Sequence, residues 1–276
     1  MVSSGLRQSV RVAAVQMEPG ENVQENIAKA ESLIRAAADA GAEFICLPEM
    51  WLHKEPIPHV DEVLDSTKHV LSSFSRLAKG LNVTLIPGAV YEEDGDDVFI
   101  SAYVIAPDGN IIGKQQKVHL FRDEKNFFKS GTKFEVFVVN GIRFGIMVCY
   151  DVAFPESARC LTIKGAELIF NPSRIVKEAM EPWRLYVKAR CLENRMPIVA
   201  VNIYDSAHPG GSFICAPLEG AKRFVHPVVL TQADHGPTTL TCDIDLVNIV
   251  EFRIDRLSRR VPAAYRCLVE QNDQSD

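Results

Sequence analysis

Three polar residues close apolar, strand-like runs in this chain. Glu49 ends AEFICLPE, Lys117 lies near the end of NIIGKQQKVHL and Cys149 ends GIRFGIMVCYD. Enzyme sites in α/β sheets gather at the carboxyl ends of strands, so these are positions where chemistry is expected. A cysteine thiol with a pKa near ~8.5 is mostly protonated at neutral pH and needs a base or a nearby cation to act as a nucleophile. Glu49 suits the base: desolvation raises a carboxyl toward general-base range, while an adjacent Lys117 ammonium pulls it back and favours the thiolate. Lys117 has a second use. Attack on a carbonyl builds negative charge on oxygen, which the ammonium and the backbone N–H of Tyr150 can stabilise. Each residue also has a plainer reading, since free cysteine is often a small buried hydrophobe and a strand-end Glu or Lys is usually solvated. Residue types alone further allow a Cys149–His119 pair of peptidase type, although a lone strand histidine is more often packed and hydrogen-bonded.

The elements that must position these residues follow from periodicity. VRVAAVQM reads as a first strand, and Asn22 with Glu25 three residues later resembles a capping box for a helix that Gly41 stops. AEFICLPE returns as a strand, and this β-α-β alternation points to an α/β protein. A second helix is expected over 66–79. The runs VTLIPGAVYEE, DVFISAYVIAPDG and NIIGKQQKVHL, punctuated by Asp94-Gly95 and Asp108-Gly109, read as antiparallel hairpins, and Asn140-Gly141 marks another before Cys149. A helix over 155–164, the strand AELIFNPS, a helix from about Pro182 to Glu193, the strands PIVAVNIY, GGSFICAPLEG and TTLTCDIDL, and a last helix VNIVEFRIDRLSRR complete the chain. No repeat or composition break divides residues 1–276, so one domain is expected.

Composition narrows the function. With 30 basic and 36 acidic residues the net charge is -6, which offers no basic field for nucleic acid. No apolar run approaches the roughly 18 residues of a membrane span, and MVSSGLRQSV lacks a signal-peptide core, so a cytoplasmic protein is expected. The 7 cysteines are odd in number and scattered, as for reduced thiols, and no His or Cys grouping suits a metal.

PEMW around Glu49, KVHLF around Lys117 and CYDVAFPE around Cys149 resemble, in order, the three signature segments of the nitrilase superfamily, the carbon-nitrogen hydrolases. VRVAAVQM, FPESARCLTIKGAELIFNPS, KARCLENRMPIVAVN and GGSFICAPLEG extend the resemblance over most of the chain. It implies a four-layer α-β-β-α sandwich with two mixed β-sheets, no cofactor, and an amidase-like reaction through a thioester. Glu49 matches the general base, Lys117 the residue that stabilises the tetrahedral intermediate, Cys149 the nucleophile and Glu124 a second glutamate near the lysine. The resemblance also implies a homodimer or larger assembly through helical faces, for which the helix after Cys149 and the one from Pro182 are candidates.

Members of this superfamily act on nitriles, aliphatic amides, ω-amides, N-carbamoyl compounds and glutamine-like donors. Many that accept a carboxylate-bearing substrate carry arginine just after the cysteine, whereas this chain has Val152-Ala153. A carboxylate against that apolar pair is costly to desolvate, so a small neutral amide is expected, with N-carbamoyl compounds second. Arg174 is the residue that can overturn this by binding an anion. Phe121, Trp183 and Tyr150 are candidate substrate contacts, and Glu193 is expected to pair with Arg190 or Arg195 on its helix. An ω-amidase, a true nitrilase and a catalytically idle binding module remain the other readings.

Overall fold

The computed structural model describes residues 9–268 apart from 56, 58 and 59. The first half contains β1 (Ser9–Gln16), α1 (Val23–Asp39), β2 (Phe44–Cys46), α2 (Val60–Leu81), β3 (Thr84–Ile86), β4 (Ala89–Asp94), β5 (Asp97–Ile105) and β6 (Ile111–Gln116). The second contains β7 (Val136–Val139), β8 (Ile142–Ile146), α3 (Pro155–Ile163), β9 (Leu168–Pro172), α4 (Met180–Asn194), β10 (Ile198–Val201), β11 (Phe213–Glu219), β12 (Val225–Gln232), β13 (Thr238–Asp245) and α5 (Leu246–Ser258).

Two mixed sheets form. One has the order β13-β1-β2-β3-β5-β4 with β6 also on β5, and the other the order β12-β11-β10-β9-β8-β7. In each, three central strands run parallel, β1-β2-β3 and β8-β9-β10, and antiparallel strands flank them. The sheets pack face to face with β1 against β10, while α1 and α2 cover the first and α3 and α4 the second, giving the four-layer α-β-β-α sandwich. Phe44 of β2 meets Phe144 of β8 edge-on at 5.3 Å and lies 6.3 Å from Phe170 of β9, so aromatic rings fill the space between the parallel cores.

Local differences from the sequence reading have identifiable causes. At α1 only half of the capping box forms: Asn22 accepts from the Gln24 and Glu25 N–H groups, but the Glu25 carboxylate pairs with Lys29 at 2.7 Å. Helix α2 starts six residues before position 66, because Val63 and Leu64 extend its buried face and Asp61 and Glu62 suit a helix N-terminus. Strand β12 has a weak sequence signal, since Pro227 interrupts it; the proline is tolerated because β12 is a sheet edge. Among the described residues no helix is long and apolar enough to cross a membrane.

Candidate active site

Both sheets deliver residues to one place. Glu49 follows β2 and makes a bridge to Ala89, while the Met50 N–H donates to the Ala89 carbonyl at 2.8 Å. This corner exists because Gly88, at φ +76°, has no side chain: a Cβ there would stand 1.8 Å from the Pro48 carbonyl oxygen. Trp51 anchors the same corner, donating its indole N–H to the Pro87 carbonyl at 2.7 Å and stacking on Phe74.

Lys117 is fixed just beyond β6, where its N–H donates to the Ile100 carbonyl and its own carbonyl accepts from Gly131. Its side chain is fully buried, and its Nζ lies 2.9 Å from Glu49 Oε1 and 2.8 Å from Glu124 Oε2. Glu124 belongs to a short 3-10 turn, Arg122–Asn126, and its Oε2 also accepts the Phe121 N–H at 2.8 Å. Burial alone would lower the Lys117 pKa, but the charges of Glu49 and Glu124 reverse this and hold the ammonium above its ordinary value. Burial pushes Glu124 up against the opposing pull of Lys117.

Cys149 opens a second 3-10 turn, Cys149–Ala153, between β8 and α3, in the left-handed region at φ 45°. A non-glycine residue there is strained and persists only where its surroundings over-determine it. Three side chains do so. Asp151, fully buried, accepts the Val148 N–H on Oδ2 and the His119 N–H on Oδ1. Asn171 Nδ2 donates to the Met147 and Cys149 carbonyls at 2.7 and 3.3 Å, and its Oδ1 accepts the Trp183 indole N–H at 2.9 Å. Arg190 donates from Nε to the Val152 carbonyl and from Nη2 to that of Ala153.

Burial raises the Cys149 thiol well above its ordinary pKa, Glu49 adds to this, and Lys117 and the backbone N–H of Arg174 oppose it only in part. Lys117 thus pulls toward the thiolate, as expected, but burial opposes it more strongly, so a proton acceptor is needed as the sulfur attacks. His119 lies outside this exchange, with Nδ1 2.8 Å from Asp151 Oδ1 and its ring stacked on Phe154 at 3.6 Å.

Cys149, Glu49 and Glu124 line a cavity of about 490 Å³, bordered also by Phe121, Arg174 and the 205–208 segment. A second, more apolar cleft of about 350 Å³ meets it at Cys149, Phe121 and Arg174 and contains Tyr150, Val152, Ala153 and Trp183. All eight residues singled out for the site thus fall in one region. Arg174 is already occupied: Nη1 donates to the Met50 and His53 carbonyls and Nη2 to that of Lys54, with Asp205 3.8 Å away. Glu193 pairs with Arg190 at 3.0 Å.

Asp151, Asn171 and the buried Tyr91 escape the sequence reading. Tyr91 donates to Met50 Sδ at 3.8 Å, and burial together with Glu49 and Glu124 raises its hydroxyl pKa. The first two sit inside segments already quoted, CYDVAFPE and AELIFNPS, but nothing in their spacing marks them as main-chain clamps.

A family model for carbon-nitrogen hydrolases matches residues 11–253. A nitrilase of Pyrococcus abyssi is 36% identical over 70% of this chain and 74% of its own length. A citrullinase of Francisella tularensis is 31% identical over 75% of this chain and 81% of its own. The crystal structure of a carbon-nitrogen hydrolase from Helicobacter pylori superposes with a TM-score of 0.86 at 23% identity, covering 96% of this chain and 99% of the other.

Proposed function

This chain belongs to the carbon-nitrogen hydrolases of the nitrilase superfamily, and from that premise we propose that it hydrolyses small amides, neutral at the reacting end, through Cys149, Glu49 and Lys117, with release of ammonia. The observation that carries this reading is the Lys117 ammonium, fully buried between the carboxylates of Glu49 and Glu124, which themselves line the Cys149 cavity.

In the proposed cycle the Cys149 sulfur attacks the amide carbon while its proton passes to Glu49. Negative charge collects on the carbonyl oxygen. Two of the three Lys117 N–H bonds are engaged by carboxylates, so the third, with the Tyr150 backbone N–H, is available to that oxyanion. The intermediate collapses as Glu49 returns the proton to the departing nitrogen, giving ammonia and a thioester. Water then attacks the thioester, Glu49 takes its proton and passes it to the sulfur, and the carboxylic acid leaves. Each turnover consumes one amide and one water. Glu124 touches Lys117 and orients it.

The occupied donors of Arg174 and the apolar Val152-Ala153 pair support a neutral reacting end. Likeness to a citrullinase favours N-carbamoyl compounds as the second reading, since a carbamoyl group presents the same neutral C–N bond. We further read the chain as one catalytic unit that pairs with a second copy through the α3–α4 side, where Ile163, Leu185 and Tyr186 are exposed. Sedimentation at micromolar concentration tests the pairing, and a monomer would refute it.

The test of the function is ammonia release by the wild type and by Cys149→Ala from short aliphatic amides, ω-amides, N-carbamoyl amino acids and nitriles. Release from neutral amides that disappears in Cys149→Ala is expected. Release confined to anionic ω-amides or nitriles would overturn the substrate class, and release retained by Cys149→Ala would overturn the mechanism.

A further inference from the structure

Beyond the catalytic cluster, the Cys149 cavity is walled by the loop from β10 to β11, which carries Asp205 and His208. The loop is tied to itself and to its neighbours. The Asp205 N–H donates to the His208 carbonyl at 2.8 Å, Tyr204 bridges Pro209, and the Ala207 carbonyl accepts the Lys177 N–H at 3.1 Å. Asp205 Oδ1 then accepts three bonds, from the N–H groups of Ala207 and His208 and from His208 Nδ1 at 2.7 Å.

An ionised carboxylate only accepts, so this last bond puts the His208 proton on Nδ1 and leaves a lone pair on Nε2. Burial and the nearby Arg174 charge lower the His208 pKa, against the pull of Asp205 and Glu49, which keeps the ring neutral. Its two charged neighbours on this wall are already engaged: Asp205 Oδ1 by its N–H donors, and Arg174 by three main-chain carbonyls. A rigidly held acceptor therefore stands on the cavity wall with no partner among the described residues. The cavity's charge gives the sign of its partner. Its lining carries four carboxylates, of Glu49, Glu55, Glu124 and Asp205, against the cations Lys54 and Arg174, and Lys54 is paired with Glu21. Even with Lys117 behind Glu49, such a wall favours a cation over an anion.

We infer that His208 selects the end of the substrate remote from the reacting carbon, Nε2 accepting a hydrogen bond from an ammonium group, so that the preferred substrates are ω-amino amides. This rests on the Cys149 reading given above, and it is separable from it by measuring binding. Cys149→Ala protein is titrated calorimetrically with γ-aminobutyramide, with its uncharged isostere pentanamide and with its carboxylate counterpart glutaramate. The ammonium compound is expected to bind on the order of tenfold or more tightly than pentanamide, as a hydrogen bond to a charged group allows, and glutaramate least tightly.

Adding His208→Phe should bring the first ratio close to one, while His208→Gln, which keeps an acceptor oxygen, should retain part of it. Asp205→Asn, which no longer fixes the tautomer, should lose preference in the same direction and supplies the test if the phenylalanine variant does not fold. An unchanged ratio in these variants, equal binding of the three compounds, tighter binding of glutaramate, or no binding of any would overturn the inference. Ammonium preference in a protein that releases no ammonia from any amide would instead overturn the hydrolytic reading and leave His208's role standing.

Discussion

Lys117, fully buried, and Arg174, partly buried, are both cations beside Cys149, yet their hydrogen bonds go to different kinds of acceptor. Lys117 spends its donors on the side-chain carboxylates of Glu49 and Glu124, which hold it charged. Arg174 spends its donors on the carbonyls of Met50, His53 and Lys54, pinning the loop after Glu49, and burial lowers its pKa. A lysine ammonium held only by side-chain carboxylates suits a developing oxyanion, whereas a guanidinium tied to three main-chain carbonyls works as a brace. A buried positive charge beside a nucleophile is thus not by itself a substrate anchor. What consumes its donors decides.

This contrast breaks most decisively at the lysine. Lys117→Ala should lower kcat by at least about 10²-fold through the lost oxyanion contact, and further because two carboxylates are left buried without a partner. Retention of most activity would sink the Glu-Lys-Cys reading and revive a role for His119. Glu49→Gln comes next: it keeps the shape but removes the proton acceptor, so a fall of about 10²- to 10⁴-fold in kcat is expected, and a normal rate would refute Glu49 as base.

Arg174→Ala should act on stability more than on selectivity. Of the three carbonyls Arg174 holds, that of Lys54 is exposed and those of Met50 and His53 are part-buried, and orphaning the latter two costs about 1–3 kcal/mol each where water cannot replace the donor, which thermal melting reads as a loss of a few degrees. Its effect on kcat/KM should be alike for neutral and anionic amides; a KM raised for anionic amides alone would return Arg174 to the substrate. Between brace and catalyst stands Asn171→Ala, expected to cost about tenfold in kcat by releasing the strained Cys149 turn, with KM little changed.

The smallest effect is one of pH. His208 is held below its ordinary value of about 6.5, with Arg174, Asp205 and Glu49 as the charged groups facing it. Nε2 is therefore an acceptor at neutral pH and gains a proton only in more acidic solution, where it would repel an ammonium. The preference of Cys149→Ala protein for γ-aminobutyramide should hold from pH 8 to about 6.5 and decline at lower pH; a preference that rises on acidification would contradict the tautomer assigned here.

Glu49, Lys117 and Cys149 are legible in the sequence because each sits at the end of an apolar strand inside a short contiguous signature. Asp151, Asn171 and Arg190 are not, because they act on main-chain groups that only the fold brings near. The pairing of Arg174 with Asp205 is equally invisible, since the two lie on loops after different strands of the second sheet. The sandwich follows from strand-helix alternation together with the family resemblance. The presence of β12 does not, because Pro227 masks an edge strand, whereas the early start of α2 is signalled by Asp61 and Glu62, which suit a helix N-terminus.

The pairing of β1 with β13 runs from Ser9 opposite Asp245 to Gln16 opposite Thr238. During synthesis β1 therefore keeps one edge open until β13 has followed, a wait of roughly 10 to 50 s at about 5–20 residues per second. An unpaired, apolar edge exposed for that long is a site for joining to other nascent chains. Yield in the cell should thus respond to translation speed and chaperone supply as well as to the stability of the finished enzyme.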